Sequence, residues 1–170
     1  MRGILIDPFA RQVREITLQN GGLEGIRSVI GDVFIECVSL GRGVDLWIDE
    51  EGMLNGQEKQ AYFGLVDQAG GIKPLAGKGI VLGADNEGGT VGCPAGVLPH
   101  AIERIVRWLG DCWEFEAAIE AGRIERPMSC WHAAVGPDMR PTGPGEILWQ
   151  WECPPRPEAS EDGATPSTEG

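Results

Sequence analysis

The alternation of apolar and polar residues over the first fifty positions predicts a series of short strands. In Val44–Asp49 the apolar residues Val44, Leu46 and Ile48 recur at every second position. A period of two is typical of a strand that has one face in a core. The same reasoning predicts strands over Arg11–Leu18 and Asp32–Leu40, and a short apolar run stopped by Pro8 predicts an opening strand over Gly3–Asp7.

One helix interrupts these strands. Leu23, Ile26, Val29 and Ile30 recur at helical spacing, and Gly31 is suited to end the helix. The predicted order is β-β-α-β-β, which indicates an α+β fold with a small mixed or antiparallel sheet and one packed helix.

The pattern beyond Asp49 predicts a more varied set of elements. An untidy helical pattern covers Gln57–Gln68, an apolar run predicts a buried strand over Gly79–Gly83, and Thr90–Gly92 suits a short return strand. We then expect a pair of helices and a late strand, over His100–Leu109, Glu114–Ala121 and Ile147–Trp151.

These elements suggest three parts of the chain. Residues 1–92 are expected to form the α+β domain, and residues 93–152 a helical, Trp-rich extension packed on it. Residues 153–170 are expected to form a disordered acidic tail. From residue 154 onward the chain has four prolines, four acidic residues and no large apolar residue, so it cannot bury enough surface to offset the entropy of ordering.

Two acidic turns are the first candidate binding residues. Asp49, Glu50 and Glu51 follow a half-buried strand, and three adjacent carboxylates cannot all face a core, so the chain must reach the surface there. Asp85 and Glu87 follow the Gly79–Gly83 strand. Successive residues of an extended chain point to different sides and do not converge on one cation. We therefore predict no metal at either turn.

The charge narrows the possible partners. The 170 residues carry a formal net charge of −12, which argues against direct binding to a nucleic-acid backbone. It suits an acidic surface that competes with nucleic acid for a basic protein. Neither an apolar run of about 20 residues nor a signal peptide is visible, so we expect no membrane contact and a cytoplasmic location.

The thiols and imidazoles predict neither a cofactor nor a catalytic group. The five cysteines contain no CxxC pair and should be reduced in the cytoplasm. Cys93, His100, Cys112, Cys130 and His132 could in number supply a zinc site, but their spacing matches no usual zinc motif. There is no GxSxG sequence, and Lys78 leads into a strand where a phosphate loop would open a helix. We therefore predict no metal, no cofactor and no catalytic residue.

Tryptophan marks the second part of the chain. Five of the six tryptophans lie beyond residue 92. Such residues usually fill a core but also anchor interfaces. Trp131, Trp149 and Trp151 are therefore candidates for a partner-binding surface.

Several short motifs carry a resemblance over the first 92 residues, which are similar to a domain of unknown function that recurs in bacteria, bacteriophages and plasmid-borne genes. The motifs are the opening strand Gly3–Pro8, Gly31–Val38, Asp49–Gly52, and Gly77–Gly83 with Glu87 and Gly88 after it. The family usually has an Asn, a basic residue and Ala some way past the acidic turn. Here Asn55 stands early, ahead of Lys59 and Ala61. The resemblance implies a mobile-element context and carries no catalytic residue over.

Two hypotheses follow. In the first, the chain is a non-catalytic accessory protein of a phage, prophage or plasmid that binds a host protein. One form is an anti-defence factor whose acidic surface imitates nucleic acid. The alternative is a small-ligand or nucleotide-binding domain, with a hydrolase as one form of it, and it requires the turns Asp49–Gly52 and Asp85–Gly89 to line one pocket.

Overall fold

The computed structural model describes residues 1–31, 34–54, 57–67, 69–127, 130–135, 141–149 and 153–156. Its helices are α1 (Leu23–Ile30), α2 (Pro99–Glu103) and α3 (Cys112–Glu120), and a 3₁₀ turn covers Gln57–Lys59. Its strands are β1 (Arg2–Asp7), β2 (Gln12–Thr17), β3 (Ile35–Gly41), β4 (Val44–Asp49), β5 (Tyr62–Val66), β6 (Ile72–Ala76), β7 (Gly79–Ala84), β8 (Thr90–Val91), β9 (Val106–Gly110), β10 (Cys130–Val135) and β11 (Pro141–Trp149).

The strands of the described residues form three antiparallel sheets. The largest has the order β2-β1-β7-β4-β3, with β8 paired to β7 as a sixth strand. A second sheet has the order β6-β5-β9, and β10 pairs with β11. The fold is therefore α+β, as predicted, and the order β-β-α-β-β is confirmed by β1 to β4 with α1 between β2 and β3.

The core has four layers. One face of the six-stranded sheet packs on α1, through residues such as Leu5, Ile26 and Ile80. Its other face packs on the three-stranded sheet, where Leu46 and Phe63 belong to one buried cluster. The far side of the three-stranded sheet packs on α3 through the residues Tyr62, Ala76, Cys112, Phe115 and Ala118. Because the six-stranded and the three-stranded sheet are each covered on both faces, their central strands β7 and β5 are buried almost throughout.

The helix predicted over Gln57–Gln68 is wrong. The chain forms a 3₁₀ turn at Gln57–Lys59 and then the strand β5. This strand lies in the middle of its sheet, between β6 and β9, and is covered on both faces. It therefore lacks the alternation by which a strand is usually recognised.

The helix predicted over His100–Leu109 is also wrong in its second half. α2 ends at Glu103, and β9 pairs with β5 so that Val106 lies opposite Leu65. Ile105 and Val106 are β-branched and suit a strand. In β9 the main-chain N–H and C=O groups bond to β5, whereas in a helix they would bond to groups of the same helix. The second predicted helix is confirmed as α3.

The predicted late strand overlaps β11, which runs from Pro141 to Trp149. It pairs with β10, a strand that the Pro- and Gly-rich sequence did not suggest. Residues 150–152 lie outside the described residues.

The loop after residue 92 is bonded to the first two strands. The Arg2 guanidinium donates to the carbonyl oxygens of Cys93 at 3.0 Å, Pro94 at 2.8 Å and Val97 at 2.9 Å, and to the Glu15 carboxylate at 2.8 Å. The hydrogen bond to Glu15 raises the pKa of Arg2, so the guanidinium that holds this loop is positively charged. The predicted domain boundary at residue 92 stays a prediction. At this boundary, Arg2 of the first predicted part is hydrogen-bonded to the loop that begins the second.

Two further expectations concern the chain as a whole. Residues 153–156, at the start of the predicted disordered tail, lie against α3, with Trp113 Nε1 donating to the Pro154 oxygen at 3.0 Å. Residues 157–170 lie outside the described residues, and their disorder stays a prediction. No helix in the described part of the chain is long and apolar enough to cross a bilayer.

Candidate functional site

Strand register brings two turns and one loop residue together at one end of the six-stranded sheet. Ile6 of β1 lies opposite Gly79, and Trp47 of β4 lies opposite Ile80. Both strands therefore end beside the start of β7. We call this region the acidic end, and it comprises Asp7–Arg11, Phe34 and Asp49–Leu54.

The Asp49 turn is held by main-chain hydrogen bonds. Asp49 Oδ1 accepts from the Glu51 N–H at 2.8 Å, and the Glu51 carbonyl oxygen accepts from the Leu54 N–H at 2.8 Å. The Glu50 N–H donates to the carbonyl oxygen of Phe34 at 3.1 Å. The turn is thus fixed to the start of β3, with Asp49 and Glu51 half-buried and Glu50 exposed.

Large apolar side chains are exposed at the same end. Phe9 is 54% exposed, Phe34 55% and Leu54 38%. Sequence reasoning singled out none of them, because their exposure depends on how β1, β3 and β4 are arranged in the sheet. Carboxylates and exposed aromatic rings therefore lie at the same end of the sheet.

The acidic end is also anchored to α3. Arg11 donates to both carboxylate oxygens of Glu114, at 2.8 and 3.1 Å. Glu114 belongs to the capping box of α3, in which the Asp111 side chain accepts from the N–H groups of Trp113 and Glu114. The β1–β2 turn that carries Phe9 is thereby held to a capped helix.

The second acidic turn lies at the opposite end of the sheet. Val44, at the start of β4, lies opposite Gly83, so β7 reaches Asp85 where β4 begins. The six residues of β7 separate the two ends by roughly 20 Å. The structure therefore does not bring Asp85 and Glu87 together with Asp49, Glu50 and Glu51.

The Asp85 turn has a close copy elsewhere in the chain. Asp67–Gly71 and Asp85–Gly89 both read D-x-x-G-G. In each, the aspartate Oδ1 accepts from the N–H groups of the third and fifth residues, at 2.8 and 2.8 Å in the first turn and 2.9 and 2.6 Å in the second. The fourth residue, Gly70 or Gly88, has a φ of 85° or 82°. This repeat was the signal by which the β5–β6 hairpin could have been predicted.

An open groove lies between β6 and the chain after α3. It has a volume of about 820 Å³, and its lining includes Met53, Ile72, Lys73, Arg123 and Ile124. Sequence reasoning did not point to it, because its walls come from segments about 50 residues apart.

The predicted tryptophan surface is described only in its main chain. Trp131 of β10 lies opposite Ile147, and Trp149 of β11 lies opposite Cys130. Trp151 lies outside the described residues. Binding by these three tryptophans stays a prediction.

The described residues contain no group of three His, Cys, Asp or Glu side chains that could hold a metal ion. Their buried core holds no polar or charged residue. Within this part of the chain the acidic side chains are therefore at the surface or half-buried, where they can meet a partner.

Comparison with known protein families gives a match over the first part of the chain. A family described as "Domain of unknown function (DUF3846)" matches residues 1–105, more than half of the chain. Searches of curated proteins and of solved structures found no match. The matched residues run from β1 through α2.

Proposed function

The chain belongs to the family described as Domain of unknown function (DUF3846), and we propose that it is a non-catalytic accessory protein of a mobile genetic element that binds a host protein. The mobile-element context rests on the resemblance of its first 92 residues to phage and plasmid proteins. The binding role rests on the acidic end.

The observation that carries the proposal is the shared location of exposed rings and carboxylates. Phe9 and Phe34 are each more than half exposed; Phe34 accepts the Glu50 N–H through its carbonyl oxygen, and Phe9 lies in the β1–β2 turn at the same end of the sheet. Aromatic side chains supply much of the binding energy at protein interfaces, whereas rim charges mainly set orientation and association rate. The combination suits a partner that has an apolar recess with a basic rim.

The predicted acidic residues do not suit a catalytic pocket. A pocket enzyme would need the Asp49 and Asp85 turns to converge, and they lie at opposite ends of the sheet. Asp49 and Asp85 each accept hydrogen bonds from the main chain of their own turn. These bonds give both carboxylates a structural role in closing the turns.

A partner with a basic rim suggests one class of host protein. Proteins that bind nucleic acid carry clustered Lys and Arg, and a chain of net charge −12 is attracted to such surfaces. An anti-defence factor that occupies the nucleic-acid site of a host defence protein is the specific form we propose, and it places the chain in the cytoplasm.

Affinity capture from a bacterial host lysate tests the proposal. Wild-type chain should retain a host protein at low salt, and Phe34→Ser should lose it because the exposed ring is removed. Leu98→Ser is the matched control, since Leu98 is 43% exposed and lies outside the acidic end. Equal capture by both variants, or no specific capture by the wild type, would contradict the proposal.

The groove supports a second candidate, a small-ligand or nucleotide-binding domain. Its volume of about 820 Å³ is within the usual range of ligand pockets, and Lys73 and Arg123 suit an anionic group. Thermal melts with a panel of nucleotides test this. A nucleotide that stabilises the wild type but not Lys73→Ala with Arg123→Ala would favour the second candidate over the first.

A further inference from the structure

Two cysteines far apart in sequence meet beside α3. Cys112 is the first residue of α3 and is fully buried. Cys153 is half-buried and packs against the same cluster. The residues that follow them, Trp113 and Pro154, are hydrogen-bonded at 3.0 Å, and each thiol affects the pKa of the other, so the two cysteines are neighbours.

The chain around Cys153 is held in place by three more contacts. The Cys153 thiol donates to the carbonyl oxygen of Pro154 at 3.5 Å. Trp113 Nε1 donates to the same oxygen at 3.0 Å. The Arg156 guanidinium lies 5.6 Å from the centre of the Trp113 ring, within the range of a cation–π contact. On the other side, the capping box fixes the first turn of α3 and hence Cys112.

We propose that Cys112 and Cys153 are an oxidation site at which a reversible disulfide fastens the C-terminal segment to α3. Two neighbouring thiols need little movement to bond when hydrogen bonds fix the main chain around each of them. The proposal is independent of the protein-binding function, because neither cysteine lies at the acidic end.

The reaction takes its electrons from the thiol pair and gives them to a low-molecular-weight disulfide such as oxidised glutathione. The Cys153 thiolate attacks one sulfur of glutathione disulfide, forming a mixed disulfide and releasing one glutathione thiolate. Cys112 then loses its proton and attacks Cys153 Sγ, which releases the second glutathione. Two protein thiols and one glutathione disulfide become one protein disulfide and two glutathione thiols.

The structure assigns the two steps to different cysteines. Cys153 is the more accessible thiol, and the hydrogen bond from Cys112 lowers its pKa relative to the effect of burial alone. Burial raises the pKa of Cys112 to about 12, which suits a thiol that reacts second and only within the protein. Burial raises the pKa of Cys153 as well. The rate should therefore increase with pH between pH 7 and 9, as the thiolate fraction of Cys153 rises.

Peptide mapping after oxidation tests the proposal. The reduced full-length chain is treated with oxidised glutathione, the remaining thiols are alkylated, and the chain is cleaved after glutamate. This cleavage places each of the five cysteines on a separate peptide, with Cys112 on 104–114 and Cys153 on 153–158. We expect these two peptides to be joined, with a mass about 2 Da below the sum of the reduced pair.

Exposed Cys37 is the internal control, because it should be found as a glutathione adduct. Finding Cys112 unlinked while Cys37 is modified would overturn the proposal, and so would a link from either cysteine to another peptide. Cys153→Ser, a change at a half-buried position, should abolish the 104–114 cross-link and leave the Cys37 adduct in place.

A thermal melt provides a second readout. The bond would close residues 112–153 into a loop, and we expect the melting temperature to rise by roughly 5–10 °C. A reducing thiol should reverse the shift. A joined peptide pair with no reversible shift would show that the C-terminal segment is not fastened to α3 in the folded chain, and would overturn the structural part of the proposal.

Discussion

The two ends of the six-stranded sheet carry similar acidic turns but different neighbours. At the acidic end, Asp49–Gly52 is hydrogen-bonded to the main chain of Phe34, and the exposed ring of Phe9 lies at the same end of the sheet. At the opposite end, Asp85–Gly89 is a self-contained hairpin turn. The turn Asp67–Gly71, between β5 and β6 of the three-stranded sheet, has the same hydrogen bonds as Asp85–Gly89.

The comparison shows which carboxylates are available to a partner. An aspartate that opens a tight turn accepts from main-chain N–H groups, so replacing it affects the fold first. The third position of the hairpin turn is Glu87 in one copy and Ala69 in the other, so the turn itself does not need the glutamate. Exposed glutamates at the end that carries the exposed rings can therefore take part in binding without being needed for the stability of the fold.

The largest effect is expected from the rings of the acidic end. Phe9→Ser together with Phe34→Ser should weaken partner binding by roughly 100-fold, because two exposed aromatic anchors are removed. Calorimetric titration of the captured partner measures this. Val91→Ser with Leu98→Ser removes two exposed apolar side chains elsewhere and should leave binding within about threefold. Equal weakening in both pairs would show that general hydrophobicity drives the association.

The next effect concerns stability at the turn aspartates. Asp85→Ala and Asp67→Ala should each lower the free energy of unfolding by about 1–2 kcal/mol, because each leaves two turn N–H groups without their acceptor. Urea denaturation measures both. Asp→Asn keeps the Oδ1 acceptor and should recover more than half of each loss. A large loss in one copy and none in the other would show that the two turns are not equivalent.

A smaller effect is expected from the glutamates of the acidic end. Glu50→Gln with Glu51→Gln should weaken binding by roughly three- to tenfold at low salt, because rim charges act over a Debye length of about 10 Å at 0.1 M salt. Titrations at several salt concentrations should show the difference shrinking as salt rises. A salt-independent loss would mean that these carboxylates make buried contacts.

The smallest effect is expected at Glu87. Glu87→Ala should change the free energy of unfolding by less than about 0.5 kcal/mol, since alanine occupies the equivalent position of the other turn. The same urea experiment checks this. A loss as large as that of Asp85→Ala would mean that Glu87 has a structural contact that its counterpart Ala69 lacks.

Sequence patterns were reliable where an element has one buried face. The helix α1 and the strand β4 have one more-buried face, so spacing and period identified them, and the continuous apolar runs of β1 and β7 identified strands that are buried almost throughout. β5 is covered on both faces, and its pattern was mistaken for a helix. β9 was mistaken for one because Ile102, Ile105, Val106 and Leu109 satisfy helical spacing, and only pairing with β5 makes the last part a strand.

The candidate site was predictable only in its parts. The carboxylates of Asp49–Glu51 could be assigned to a surface turn from sequence, but their distance from Asp85 depends on strand register. Register is set by contacts between residues far apart in the chain. The exposure of Phe9 and Phe34, and the meeting of Cys112 with Cys153, are likewise results of tertiary packing that local patterns do not contain.

The most direct test of the account is the partner affinity of two variants that each carry three changes, one variant for each end of the six-stranded sheet. One combines Phe9→Ser, Phe34→Ser and Glu50→Gln, and the other combines Val91→Ser, Asp85→Asn and Glu87→Gln. We predict a dissociation constant at least roughly 100-fold higher for the first and within about threefold of wild type for the second. An equal loss in both, or a larger loss in the second, would contradict binding through the acidic end.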